Sequence, residues 1–95
     1  MFIIELTYKV DLAKVDAHLE AHVEYLKLQY ANQAIVASGR KVPRTGGIIL
    51  SKLESKAELL KILNEDPFKI NDLADYNIVE FIPSMTSEEF KILKA

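Results

Sequence analysis

The stretch Ala34-Ile35-Val36-Ala37-Ser38-Gly39-Arg40-Lys41-Val42-Pro43-Arg44-Thr45-Gly46-Gly47-Ile48-Ile49-Leu50-Ser51 decides the fold. Two apolar runs, Ala34–Ser38 and Gly47–Ser51, flank a segment that opens and closes on glycine. That pattern reads as two short strands joined by a long hairpin loop, Gly39 to Gly46. Gly39, Gly46 and Gly47 are the only glycines of the chain, so left-handed backbone is expected at this loop and nowhere else.

Upstream, residues 11–38 contain neither Pro nor interior Gly. Val15, Leu19, Val23, Leu26 and Tyr30 recur at spacings of four and three, which predicts one helix of about 20 residues with Asp11 as N-cap and that stripe facing the core. Before it, Phe2, Ile4, Leu6 and Tyr8 alternate with Ile3, Glu5 and Thr7, the period of a strand. Downstream, Ser55-Lys56-Ala57-Glu58 is a capping box opening a second helix through Leu59, Leu60 and Leu63. That helix stops by Asp66, because Pro67 disfavours helical backbone in the residue before it. Pro67 then opens a fresh helical turn with Asp66 as N-cap. Tyr76–Ile82 reads as a fourth strand ended by Pro83, and Thr86-x-x-Glu89 as the cap of a short last helix ending near Lys94.

The order is β-α-β-β-α-β plus a C-terminal helix, which is the ferredoxin-like α+β pattern with a four-stranded antiparallel sheet. With 95 residues and no linker or repeat, residues 1–95 read as one domain. In this arrangement helices cover one sheet face, yet both faces carry apolar residues: Ile3 lies opposite Phe2 and Ile4, and Val79 and Phe81 oppose Ile78 and Ile82. A bare apolar face is adhesive in a monomer, so a homodimer packed sheet to sheet is expected.

Composition narrows the function. Hydrophobic residues are 49% and charged residues 27%, with a formal net charge of −2; this is globular composition and argues against nucleic-acid binding. The third strand also lacks the aromatics with which RNA-binding sheets stack bases. No apolar run reaches the roughly 18–20 residues that span a bilayer, and zero cysteine fits a reducing compartment, so a cytoplasmic location is expected. There is no phosphate-loop or dinucleotide fingerprint, and no cofactor is expected.

Candidate chemistry rests on few side chains. His18 and His22 are the two histidines, four apart on the first helix. Their HLEAH context is not the HExxH zinc motif, and no third ligand follows from spacing, so no metal site is assigned. His22, near the border of the apolar stripe, reads either as a partly buried helix histidine or as a proton-transfer group. Asp66 reads either as a helix cap or as an acid that orients His22. Arg40, Lys41 and Arg44 are either a solvated loop or a cradle for an anion.

The string Ser38-Gly39-Arg40-Lys41-Val42-Pro43-Arg44-Thr45-Gly46-Gly47, then Asp66-Pro67-Phe68, then Glu80-Phe81, together with a histidine ahead of Tyr25-Leu26, resembles the YciI-like family of YCII-related domain proteins. The resemblance runs from the first strand to Pro83. It implies a dimeric α+β barrel and an active site where a helix histidine meets the aspartate of the Asp-Pro-aromatic motif, here His22 and Asp66. It also implies that Ser38, Gly39, Lys41 and Arg44 lie at the rim of the cleft, with Arg44 the foremost candidate to grip a small anionic organic substrate. Most members of that family have no established reaction, and a few relatives act on halogenated or lactone-type products of aromatic breakdown. Many members place proline after the second-strand glycine, where this chain has Arg40. His18 matches no family role.

Three functions fit these residues: an acid/base enzyme of lyase or isomerase type using His22 and Asp66, a non-catalytic binding or sensing module using the same cleft, and a structural dimerisation domain. The first is preferred.

Overall fold

A computed structural model describes residues 1–95. Strand β1 (Phe2–Tyr8) is at the centre. It leads into α1 (Leu12–Ala17) and α2 (Leu19–Ala31), then β2 (Ala37–Arg40), β3 (Gly46–Ser51), α3 (Lys56–Leu63), α4 (Pro67–Ile70) and β4 (Ala74–Glu80), and a 3₁₀ turn over Glu88–Leu93 ends the chain. The strands form one sheet in the order β2-β3-β1-β4, and every ladder is antiparallel. This is the ferredoxin-like α+β fold of the sequence reading. No helix is long and apolar enough to cross a membrane.

Register sorts the sheet into two faces, because residues directly opposite one another point the same way. Leu6 lies opposite Gly47 on β3 and Tyr76 on β4, and Ile4 opposite Ile49 and Ile78. This face is covered by the helices. Phe2, Ile4, Leu6 and Ile49 join Val15, Leu59, Leu63 and Phe68 in one apolar core. Fully burying such side chains is worth about 1.5–3 kcal/mol each. Exposed ion pairs such as Lys27–Glu24 and Lys91–Glu88 add about 0–1 kcal/mol each, so the core dominates.

Several elements differ from expectation. The first helix is broken at His18, whose backbone (φ −111°, ψ 5°) leaves the helical region; its N–H donates to the Val15 carbonyl at 3.0 Å, a three-residue closure that tightens the turn. The break lets two short helices present different faces. α1 buries Val15, but α2 buries His22, Tyr25 and Gln29, whereas Leu19 and Val23 are each 38% exposed. At 100° per residue the buried face of α2 is rotated by about 100° from the apolar stripe. Asp11 stands at the N-cap position but makes no side-chain cap bond.

The run Ala34–Ser38 is not a strand throughout. Ala34 and Ile35 drop into the core, 5% and 4% exposed, after Gln33 turns the chain at φ 62°; strand pairing begins at Ala37. β4 begins at Ala74, earlier than expected, and ends at Glu80, leaving Ile82 76% exposed. The capping-box serine is in place, with Ser55 Oγ accepting the Glu58 N–H at 3.2 Å. The C-terminal turn has Ser87 rather than Thr86 at its N-cap, with no side-chain cap bond.

No glycine has positive φ; the left-handed residues are Gln33 and Asp72. At Gly46 the need for glycine is proximity. A Cβ there would sit 1.7 Å from the Leu6 carbonyl oxygen, so only a hydrogen lets β3 close against β1.

On the face away from the helices, Ile3, Ile48 and Leu50 are half-buried and Val79 is 48% exposed. Lys41 Nζ lies on this side, 3.1 Å from Glu5 Oε2 and 3.0 Å from Thr7 Oγ1.

Candidate functional site

Asp66 owes its position to the local sequence. Pro67 occupies the first turn of α4, and Asp66, in extended backbone, caps it by accepting the Phe68 N–H at Oδ1, 3.0 Å away. Its own N–H donates to the Leu63 carbonyl at 3.1 Å, which fixes Asp66 in the corner between α3 and α4. The side chain is 0% exposed. A buried carboxylate is costly unless its lone pairs are met. Here three donors converge on it: the Phe68 N–H, the His22 ring at 2.7 Å from Nδ1 to Oδ1, and the Tyr76 hydroxyl, 2.5 Å from Oδ2.

His22 is held from two sides. Its ring lies parallel to Phe68, with centroids 3.8 Å apart and 2° between planes, while Nδ1 is tied to Asp66. With Nδ1–H donating to the carboxylate, Nε2 is the unprotonated nitrogen of the neutral ring. No buried side-chain nitrogen or oxygen lacks a partner, and Nε2 bonds to nothing in the chain, so it is the edge of the ring that solvent reaches. The alternatives posed for Asp66 are both realised geometrically: the same Oδ1 caps α4 and binds His22.

Burial and the Asp66 charge push the Tyr76 hydroxyl above the ordinary tyrosine range, so it remains a donor throughout the physiological range. Burial likewise raises Tyr25, whose hydroxyl donates to the Ile62 carbonyl at 2.7 Å. Arg44 is held still more firmly protonated by its ion pair with Asp16, despite a smaller opposing effect of desolvation.

His22 opens into a cleft of about 330 Å³. Its floor is Leu6, Tyr8 and Ile49 of the sheet, its wall Leu19, Val23 and Leu26 of α2, and its rim Ser38, Gly39, Arg40 and Arg44 of the hairpin. The α2 apolar stripe expected in the core thus lines the cleft. Arg44 Nη2 is 2.5 Å from Asp16 Oδ1, joining hairpin to α1. Ser38 Oγ is 2.6 Å from the Tyr30 hydroxyl. Lys41 does not reach the cleft: it pairs with Glu5 and Thr7 on the opposite sheet face, because strand alternation turns Ser38 and Arg40 toward the helices and the next position, Lys41, away. His18 sits at the helix break. No group of three or more His, Asp or Glu side chains gathers in a metal-binding arrangement.

The structure adds one residue and singles out another from the three hairpin cations. Tyr76 bonds Asp66 across ten positions of sequence and carries no local signal, since only the β1–β4 register brings it there. Arg40 faces the cleft in place of Lys41, which the alternation from Ser38 could have shown.

No curated protein matches this sequence. Among solved structures, the chain is similar to 5-chloro-2-hydroxyhydroquinone dehydrochlorinase from Burkholderia phenoliruptrix AC1100 in complex with 2,5-dihydroxybenzoquinone. The two share 21% sequence identity and a TM-score of 0.73, over 84% of this chain and 91% of that one. The model of the YCII-related domain matches residues 1–82. That match covers both strands of the hairpin, His22 and Asp66, and the chain belongs to the YCII-related domain family.

Proposed function

We propose that this chain is a small cytoplasmic enzyme that moves a proton with His22 during elimination or isomerisation of a small organic anion, as a homodimer packed through the exposed sheet face. One observation carries the reading: His22 Nδ1 is bonded to buried Asp66 at 2.7 Å while Nε2 is left to a solvent-reached cleft. Asp66 fixes the tautomer and stabilises the imidazolium formed when Nε2 takes a proton. In an elimination, Nε2 removes a proton from the substrate, the electron pair released forms the new double bond, and the leaving group departs with its own pair. The imidazolium then returns its proton to water or to the leaving group. The similar dehydrochlorinase is named for the loss of hydrogen chloride from a chlorinated hydroquinone, which supports this reaction class.

The homodimer reading is supported by Ile3, Ile48, Leu50 and Val79, which make an apolar band on the face no helix covers. The test of function is chloride release from 5-chloro-2-hydroxyhydroquinone by the native chain and by His22→Asn, with folding checked by circular dichroism. Loss of about 10²–10⁴ in rate is expected for the variant. Unchanged turnover by the variant would reject the role of His22. Stoichiometric binding with the compound recovered intact would favour a sensing module instead.

A further inference from the structure

The three cations of the hairpin are not equivalent. Lys41 is neutralised by Glu5 on the far sheet face, and Arg44 by Asp16 at 2.5 Å. Arg40 has no carboxylate within ion-pair distance and lines the cleft. The rim therefore presents one uncompensated positive charge.

Beside it stands a second donor. Ser38 is two residues before Arg40 on the same side of β2 and also lines the cleft. Ser38 Oγ and the Tyr30 hydroxyl are 2.6 Å apart. Two hydroxyls own two hydrogens, and one bond between them uses only one. The phenol is the stronger acid and takes the donor role, which leaves the Ser38 hydrogen to donate outward. A planar guanidinium and a hydroxyl hydrogen side by side suit two oxygens sharing one negative charge. The remaining walls are apolar, Leu19, Val23 and Leu26 against Leu6 and Ile49, and about 330 Å³ lies at the small end of ligand pockets.

We infer that the cleft selects compact apolar monocarboxylates, whose carboxylate is held by Arg40 and Ser38, not by Arg44, with the apolar body pointing toward His22. This rests on the acid/base reading of His22 and specifies its substrate class.

The test compares benzoate with benzamide, its neutral isostere, by titration into the ¹⁵N-labelled full chain, following backbone and His22 ring resonances. Native protein should bind benzoate about five- to tenfold more tightly than benzamide, as a charge-assisted contact predicts. Arg40→Gln should bring the two to equal affinity, whereas Arg44→Gln should keep the preference. The Arg40 side chain makes no hydrogen bond or ion pair within the chain, and its backbone pairing with Gly47 does not depend on the side chain, so its replacement leaves the fold intact. The inference is overturned if Arg40→Gln keeps the preference, if Arg44→Gln alone removes it, or if neither probe binds at millimolar concentration. Should benzoate bind through Arg40 without moving the His22 resonances, the carboxylate site stands and the acid/base reading of the cleft falls.

Discussion

Replacing Asp66 by Asn keeps shape and removes one charge and one acceptor. Oδ1 already receives two bonds, from His22 Nδ1 and the Phe68 N–H, so the amide oxygen will take that position and the NH₂ will face the Tyr76 hydroxyl. That hydroxyl donates to Oδ2 in the native chain; against an NH₂ it must turn and accept, and its hydrogen loses its partner in a half-buried place. Hydrogen bonds to a charged group are worth about 1.5–3 kcal/mol and neutral ones about 0.5–1.5. Two bonds weakened by about 1 kcal/mol each, and one exchanged for an unmet donor, sum to a loss of about 3 kcal/mol. A chain of this size has a total of about 5–14 kcal/mol to lose, so the variant still folds.

The assay is urea unfolding followed by far-ultraviolet circular dichroism. With a slope of about 1–1.5 kcal/mol per molar, the midpoint should fall by about 2–3 M at unchanged slope. Tyr76→Phe alone removes one of the three bonds and should cost about 1–2 kcal/mol. In the Asp66→Asn background the same change should cost about 1 kcal/mol less, because the bond it removes is already gone. Strict additivity of the two changes, or a loss under about 1 kcal/mol for Asp66→Asn, would refute the three-donor description of this carboxylate.

Other outcomes follow from the same geometry. Gly46→Ala places a methyl 1.7 Å from the Leu6 carbonyl oxygen and should cost about 3 kcal/mol or more, whereas Gly39→Ala, with nothing within 4 Å, should leave the melting temperature nearly unchanged. Ser55→Ala removes the acceptor for the Glu58 N–H and should cost about 1 kcal/mol by the same denaturation assay. Tyr25 and Tyr76 are both raised above the ordinary tyrosine range, so absorbance at 295 nm should show both resisting ionisation until the protein unfolds. Because the folded state holds those protons more tightly than the unfolded chain, their contribution is complete below about pH 10 and is lost as pH rises beyond it; Tyr76→Phe should flatten the alkaline decline in stability. Leu50→Glu puts a charge in the exposed apolar band and should give a monomer in sedimentation equilibrium, while an unchanged mass for native and variant would remove the sheet-face dimer.

What could be read from the residues, and what could not, divides by the range of the interaction responsible. Asp66-Pro67 and Ser55-x-x-Glu58 are local devices whose partners lie two or three residues away, and both caps are where the sequence places them. The hairpin and its flanking helices also follow from short-range periodicity, which suffices for element order and hence for the fold. The orientation of α2 does not. An apolar stripe is evidence for the core only if apolar contact is the cheapest way to bury that helix. Here the buried face is His22, Tyr25 and Gln29, because Asp66 and the Ile62 carbonyl wait at the other side to satisfy the first two. Leu19, Val23 and Leu26 are thereby turned to a cleft, with Leu26 also packing against the core. The same reversal explains why Lys41 is a poor candidate for the rim and Arg40 a better one: strand alternation, not charge, decides which cation looks inward. A polar helix face buried against a capped carboxylate, beside an apolar face left open, is what distinguishes a site from a core, and it becomes visible only when contacts 44 residues apart in sequence are drawn together.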